Sequence, residues 1–118
     1  MIFDQLARCR PWIEAALEYS GGTHTFDDIA AGVLTGRFRL WERPNGCAIT
    51  EFVNFPRKRV LNVFLAGGEM QAIKDLEHPA AEFARANGCH AMTISGRAGW
   101  QRALPHWRQV HQTQELTL

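Results

Sequence analysis

No Cys-x-x-Cys pair, no excess of either charge and no apolar run near the roughly 18 residues of a membrane span occur in this 118-residue chain. The three cysteines, Cys9, Cys47 and Cys89, are odd in number and far apart. That fits buried thiols in a reducing compartment better than a disulfide framework or a zinc site. The net charge of +1 argues against a nucleic-acid partner held by bulk charge, though not against a local basic patch. The dense basic run, Arg57-Lys58-Arg59, reads as a solvated hairpin tip. The opening MIFDQLARCRPW carries an early acid and no long apolar stretch, so neither a signal peptide nor a membrane partner is expected. The five histidines, His24, His78, His90, His106 and His111, show no ligand spacing, and no metal site is expected. A Walker loop and a Gly-x-Ser-x-Gly elbow are both absent. Without repeats or a linker, residues 1–118 read as one domain in the cytoplasm.

What is present is a clear order of elements. Ile2, Leu6, Cys9, Ile13, Ala16 and Leu17 step by three and four, the stripe of an amphipathic helix. Pro11 either starts that helix near Arg10 or kinks it. Thr25 with Asp28 three residues on predicts a capping box, and Gly36 closes the short helix that follows. A strand begins at Phe38, Leu40 and Trp41. Pro44-Asn45-Gly46 is a turn signal, and residues 47–55 read as a β-branched and aromatic strand. A four-residue turn at 56–59 leads to a third strand at 60–65, apolar on both faces except at Asn62. Residues 69–87 make the longest helix, kinked by Pro79 and stopped at Asn87-Gly88. CHAMTISG is a strand, and RAGWQRALPHW holds a short helix with Trp100 and Leu104 on one side. RQVHQTQELTL alternates well enough for a last strand. The third strand, long helix and fourth strand predict a right-handed parallel crossover. The fold class is therefore α/β: a mixed, mostly antiparallel sheet with helices on both faces.

This order resembles the acyl-CoA N-acyltransferase fold of the GCN5-related N-acetyltransferases, the GNAT superfamily. In that family the third strand of the meander ends in a glycine-containing loop whose backbone N–H groups hold the pyrophosphate of acyl-CoA. The positive end of a helix supplies the attraction. The matching stretch here is Leu65-Ala66-Gly67-Gly68-Glu69, with Ala-Gly-Gly and then an acid. A narrower likeness, in FLAGG, FARANGC and ISGRAGWQRAL, is to small GNAT-like proteins encoded among tailed-bacteriophage morphogenesis genes. The resemblance implies a degenerate acyl-CoA loop on a chain short for the family. The expected role is phage head or virion assembly through contacts with phage structural proteins or with itself, in the host cytoplasm or the virion. The alternative is an N-acetyltransferase that moves an acetyl group from acetyl-CoA to an amine.

Each candidate site has a competing structural reading. Glu51 shares the apolar face of its strand with Cys47, Ile49, Val53 and Phe55. With a four-residue turn at 56–59 it would face Phe64 and lie diagonal to Asn62. A half-buried acid there would be placed to deprotonate an amine, and the family often uses an acid from these strands so. Otherwise this face is partly solvated, or Glu51 pairs with a nearby arginine. Gly67 and Gly68 either cradle a phosphate or only allow a strand-to-helix turn. Arg97 follows a parallel strand, where ligands favour the crevice at the carboxyl ends, and would meet a phosphate or an acidic partner. Gly99, Trp100 and Arg102 lie beside it, with Trp100 read as core.

Overall fold

The computed structural model describes residues 1–95, 99–111 and 113–118. Helix α1 (Ile2–Leu17) starts at Ile2 and continues through Pro11, so Arg10 is not its beginning. Proline removes one helical hydrogen bond, a cost of about 3 kcal/mol. The buried stripe Leu6, Cys9, Ile13 and Ala16 outweighs it, since a fully buried Leu or Ile contributes about 1.5–3 kcal/mol. Helix α2 (Phe26–Thr35) begins at the expected capping box. Asp28 N donates to Thr25 Oγ1 at 3.3 Å, and Thr25 N donates to Asp28 Oδ2 at 2.9 Å. Those bonds from Thr25 hold the Asp28 carboxyl below its usual value.

Strands β1 (Arg39–Arg43), β2 (Gly46–Phe55) and β3 (Lys58–Gly68) form the antiparallel meander, and β4 (Ala91–Ile94) adds parallel to β3. The order is β1-β2-β3-β4. Two expectations about β3 need correction. Phe55 pairs with Lys58, so the tip is the two residues Pro56-Arg57 and not four. Glu51 therefore faces Asn62, not Phe64. The slip is two residues, so Glu51 keeps its face. The strand also runs on past Leu65, with Cys47↔Gly67 and Gly46↔Gly68 in the ladder. A bulge lies between Ile49 and Thr50, which face Leu65 and Val63, so Phe64 is the extra residue on β3.

The expected long helix is two: α3 (Met70–Asp75) and α4 (Glu77–Ala86). The break falls at Leu76 rather than at Pro79. Restarting there puts Pro79 in the first turn of α4, where an amide has no helical acceptor to lose. Gly88, at φ 75°, ends the unit as read, with Cys89 N donating to Ala84 O at 2.9 Å.

Helices cover both faces. On one, Leu6, Cys9 and Ile13 of α1 and Ile29 of α2 pack with Cys47, Ile49 and Leu65. On the other, Ile73 and Leu76 pack with Ala48, Val63 and Ala66, and Ala80 and Ala84 pack on Leu61. Trp100 of α5 (Trp100–Ala103) joins the second cluster, as core. The last strand does not form: among the described residues, 108–118 carry none. Leu104 is buried instead, and Glu77 Oε1 accepts from Trp107 Nε1 at 2.7 Å and contacts His106 Nε2 at 2.6 Å. Burial pushes the Glu77 carboxyl up, but these partners outweigh it and hold it low. Val110, Leu116 and Leu118 stay exposed, because alternation supplies a face but no neighbouring strand. Among the described residues no helix is long and apolar enough to cross a membrane.

One ion pair ties α1 to the edge strand. Arg8 Nε and Nη2 donate to Glu42 Oε2 and Oε1 at 2.9 and 3.1 Å. Arg8 holds the Glu42 carboxyl below its usual value. A depressed carboxylate stabilises the folded state above its unfolded pKa, and that contribution fades as pH falls through the lower folded value. Glu42→Gln is expected to lower Tm by a few degrees at pH 7. The difference from the parent should shrink from about pH 4.5 downward, as thermal melts across pH 3–7 will show; a gap that does not change with pH rules the pair out as its source.

Candidate functional site

Glu51, Asn62 and Thr93 are consecutive partners across three strands, in the pairs Glu51↔Asn62 and Asn62↔Thr93. Residues directly opposite share a face, so the three make one polar row across the sheet. Val53↔Val60↔Ala91 is the next row on that face. Polar side chains on a packed sheet are costly without partners. Thr93 Oγ1 donates to Asn62 Oδ1 at 2.8 Å, leaving the Asn62 nitrogen as a donor. Arg37, just past the α2 cap, brings Nη2 to 3.8 Å from Glu51 Oε1. Their side chains are 70% and 19% exposed, so the acid is sheltered and the guanidinium lies toward water. The arginine partner expected as the alternative for Glu51 is thus present, at a distance beyond a hydrogen bond.

Beside this row lies a cleft of about 390 Å³, whose walls include Arg37, Phe38, Arg39, Glu51, Phe52 and Phe83. Chain topology makes it. The β1 ladder begins at Arg39↔Thr50, so β2 beyond Thr50 has no neighbour on that side among the described residues. A second cavity, walled by Trp41, Val63, Met92 and Ile94, measures only about 40 Å³. Only the larger one reaches the range of small-molecule sites, about 300–1,000 Å³.

The stretch from Leu65 to Glu69 is arranged differently from a free phosphate loop. Leu65, Ala66, Gly67 and Gly68 are strand residues, and the Glu69 N–H donates to Asn45 O at 2.8 Å. A Cβ on Gly67 would come 2.7 Å from Trp12 O. Gly68, at φ 103°, would place a Cβ 2.4 Å from both Asn45 O and Gly46 Cα. Packing alone thus requires both glycines. Donors remain one step further on, since the first-turn amides of α3 at Met70, Gln71 and Ala72 have no intrahelical acceptor. Asn62 and Gly67 are separated by roughly 16 Å of strand at about 3.3 Å per residue. A ligand touching both ends would therefore need an extended arm. Arg97 lies outside the described residues. Gly99 caps α5.

Two thiols serve the core. Cys9 and Cys47 are buried, and burial pushes both thiols up, which disfavours the reactive thiolate. Among the described residues no group of three His, Cys, Asp or Glu is placed to hold a metal ion. Thr93, Arg37 and Arg39 do not stand out in the sequence. Thr93 is within reach of it, because a parallel β3–β4 pairing in phase with Asn62 selects it; the arginines need the cleft.

No family model and no curated protein sequence matches the chain. Solved structures do match it along its length. A probable acetyltransferase superposes with a TM-score of 0.73 at 13% identity, over 98% of this chain and 92% of the other. A tetramutant of the BH1408 protein of Bacillus halodurans gives 0.65 at 15% identity, over 98% and 94%. An acetyltransferase of Trypanosoma brucei gives 0.57 at 15%, over 92% and 94%. At these identities the likeness carries the architecture: this chain has a GNAT-like α/β fold, the fold of its acetyltransferase neighbours.

Proposed function

We propose that residues 1–118 act as one small N-acetyltransferase domain that moves an acetyl group from acetyl-CoA to an amine. The observation that carries this reading is the sheltered Glu51 carboxylate, in a polar row at the wall of a cleft of about 390 Å³. An amine entering as ammonium must lose a proton before it can attack. Glu51 accepts that proton, directly or through one water. Asn62 and Thr93 keep the row polar, and Arg37 balances the charge of the acid. The first turn of α3, with Leu65–Glu69 leading into it and Arg97 as a further cation, would hold the phosphates of the acyl donor. When bound, acetyl-CoA would supply the acetyl group as a thioester: the N–C bond to the amine would form as the C–S bond breaks, and CoA would leave as a thiolate that takes a proton from solvent.

The expected virion-assembly role drew on the degenerate acyl-CoA loop and a missing strand, and on the chain being short for its family; of these, the comparisons bear on length. The neighbours are covered over 92% and 94% of their own lengths, so this chain is about as long as they are, and its length does not favour assembly over catalysis. Calorimetric titration with acetyl-CoA tests the proposal. Binding with a Kd of about 1–100 μM, some 5–8 kcal/mol, is expected. No heat up to millimolar acetyl-CoA would refute it and return attention to protein partners.

A further inference from the structure

We infer that the Arg37 guanidinium occupies the place of the acceptor's ammonium, beside Glu51 and the Phe38 ring, and that an alkylamine enters by displacing it. This rests on the reading above that Glu51 receives the amine. One cation touches both groups. Arg37 Nη2 lies 3.8 Å from Glu51 Oε1, and Arg37 Cζ lies 5.5 Å from the centre of the Phe38 ring. Both groups stand on the same side of the sheet. Phe38 packs with Ile49 in the cluster under α1 and α2. Glu51, two residues past Ile49 in β2, lies on the face that Ile49 does. A carboxylate next to an aromatic ring suits a single positive charge.

The carboxylate and the ring are held in place, and the arginine is not. Phe38 is buried and stacks on Phe64 with ring centres 5.6 Å apart. Helix α2 closes on it, since a Cβ on Gly32 would lie 2.2 Å from Phe38 Cδ2. The Glu51 side chain is sheltered, whereas that of Arg37 is largely in water. Among the described residues no hydrogen bond holds the Arg37 guanidinium, and 3.8 Å is too long for one. Ion pairs of such exposure are weak. An ammonium is compact and can close to hydrogen-bonding distance of the carboxylate. Arg10 makes the same two contacts, with Glu14 at 3.3 Å and Phe26 at 4.5 Å. Glu14 is exposed, however, so displacing Arg10 would bare no sheltered acid. The place beside Glu51 offers one negative group and one ring. The acceptor that fits it carries one ammonium on an apolar stem.

NMR titration with n-butylammonium, without acetyl-CoA and read at the Glu51 and Phe38 amides, tests this. Arg37→Ala is expected to bind it about three- to tenfold tighter than the parent, as removing a competing exposed ion pair and ring contact allows. Arg37→Lys restores a competing cation and should lose that gain, and Arg10→Ala should bind as the parent does. In turnover, Arg37→Ala should lower KM for the amine by the same factor. Equal or weaker butylammonium binding by Arg37→Ala, an equal gain for neutral n-butanol, or no butylammonium binding in that variant would each overturn the inference. The acetyl-CoA titration separates the two readings. Acetyl-CoA binding without the gain in Arg37→Ala sinks only the displacement. The gain without acetyl-CoA binding sinks the acetyltransferase and leaves a site for an organic cation.

Discussion

Gly68→Ala is expected to destabilise the protein by about 3 kcal/mol, a large share of the 5–15 kcal/mol typical of a domain. Two costs add. At φ 103° a side chain is strained whatever the space around it, by about 1–2 kcal/mol. The new Cβ would also stand 2.4 Å from Asn45 O and from Gly46 Cα. Both are backbone atoms of the β1–β2 hairpin, so no rotamer change relieves the contact, and overpacking of this kind costs about 1–3 kcal/mol. Moving the turn away would also stretch the 2.8 Å bond from Glu69 N to Asn45 O. Gly88→Ala is the control, since Gly88 has φ 75° but a Cβ there would meet nothing within 4 Å. It should cost only the strain, about 1 kcal/mol. Urea unfolding of the two variants makes the comparison, and equal midpoints would contradict the tight approach at Gly68. It follows that loss of ligand binding in a Gly68 variant would report on folding before it reported on phosphate contact.

The second large effect is chemical. Glu51→Gln should lower kcat for amine acetylation by about 10²–10⁴, the usual contribution of a positioned general base. The substitution keeps the shape of the side chain. It removes a single ionic partner, Arg37 at 3.8 Å, whose own side chain is largely in water, so Tm and acetyl-CoA affinity should hold. Steady-state kinetics at saturating acetyl-CoA, alongside calorimetry, make this measurement. A kcat within about threefold of the parent, far less than a base contributes, would place the proton acceptor elsewhere. A fall in acetyl-CoA affinity matching the fall in rate would make Glu51 a binding residue instead.

Signals that act within a few residues are legible in the sequence. Thr25 and Asp28 satisfy each other across one turn, Gly36 adopts the left-handed cap at φ 83°, and Asn87-Gly88 ends α4. None needs a distant partner. The hairpin tip at Pro56-Arg57 reads two residues too long, because Lys58 and Arg59 are charged and look like turn residues. Their backbone pairs with Phe55 and Asn54 all the same. Pro79 marks a break in the long helix, but the position of the break is set by where α4 can restart with the proline inside its first turn. At the candidate site, Glu51 stands out as an acid on an apolar face and Asn62 as the one polar residue between Val60 and Leu65. That they sit opposite each other, with Thr93 beyond, depends on the register.

From residue order alone come the α/β class, the antiparallel meander and the parallel crossover, and these rest on periodicity and on the local stereochemistry of glycine and proline. Tertiary structure alone decided that the Leu65–Gly68 stretch continues the sheet, that the final eleven residues make no strand among those described, and that Arg37 comes to lie beside Glu51. Each of these turns on which segment lies beside which. That choice is made by side chains far apart in the chain competing for the same buried faces, and by β1 stopping short of the end of β2, which leaves the edge of β2 open.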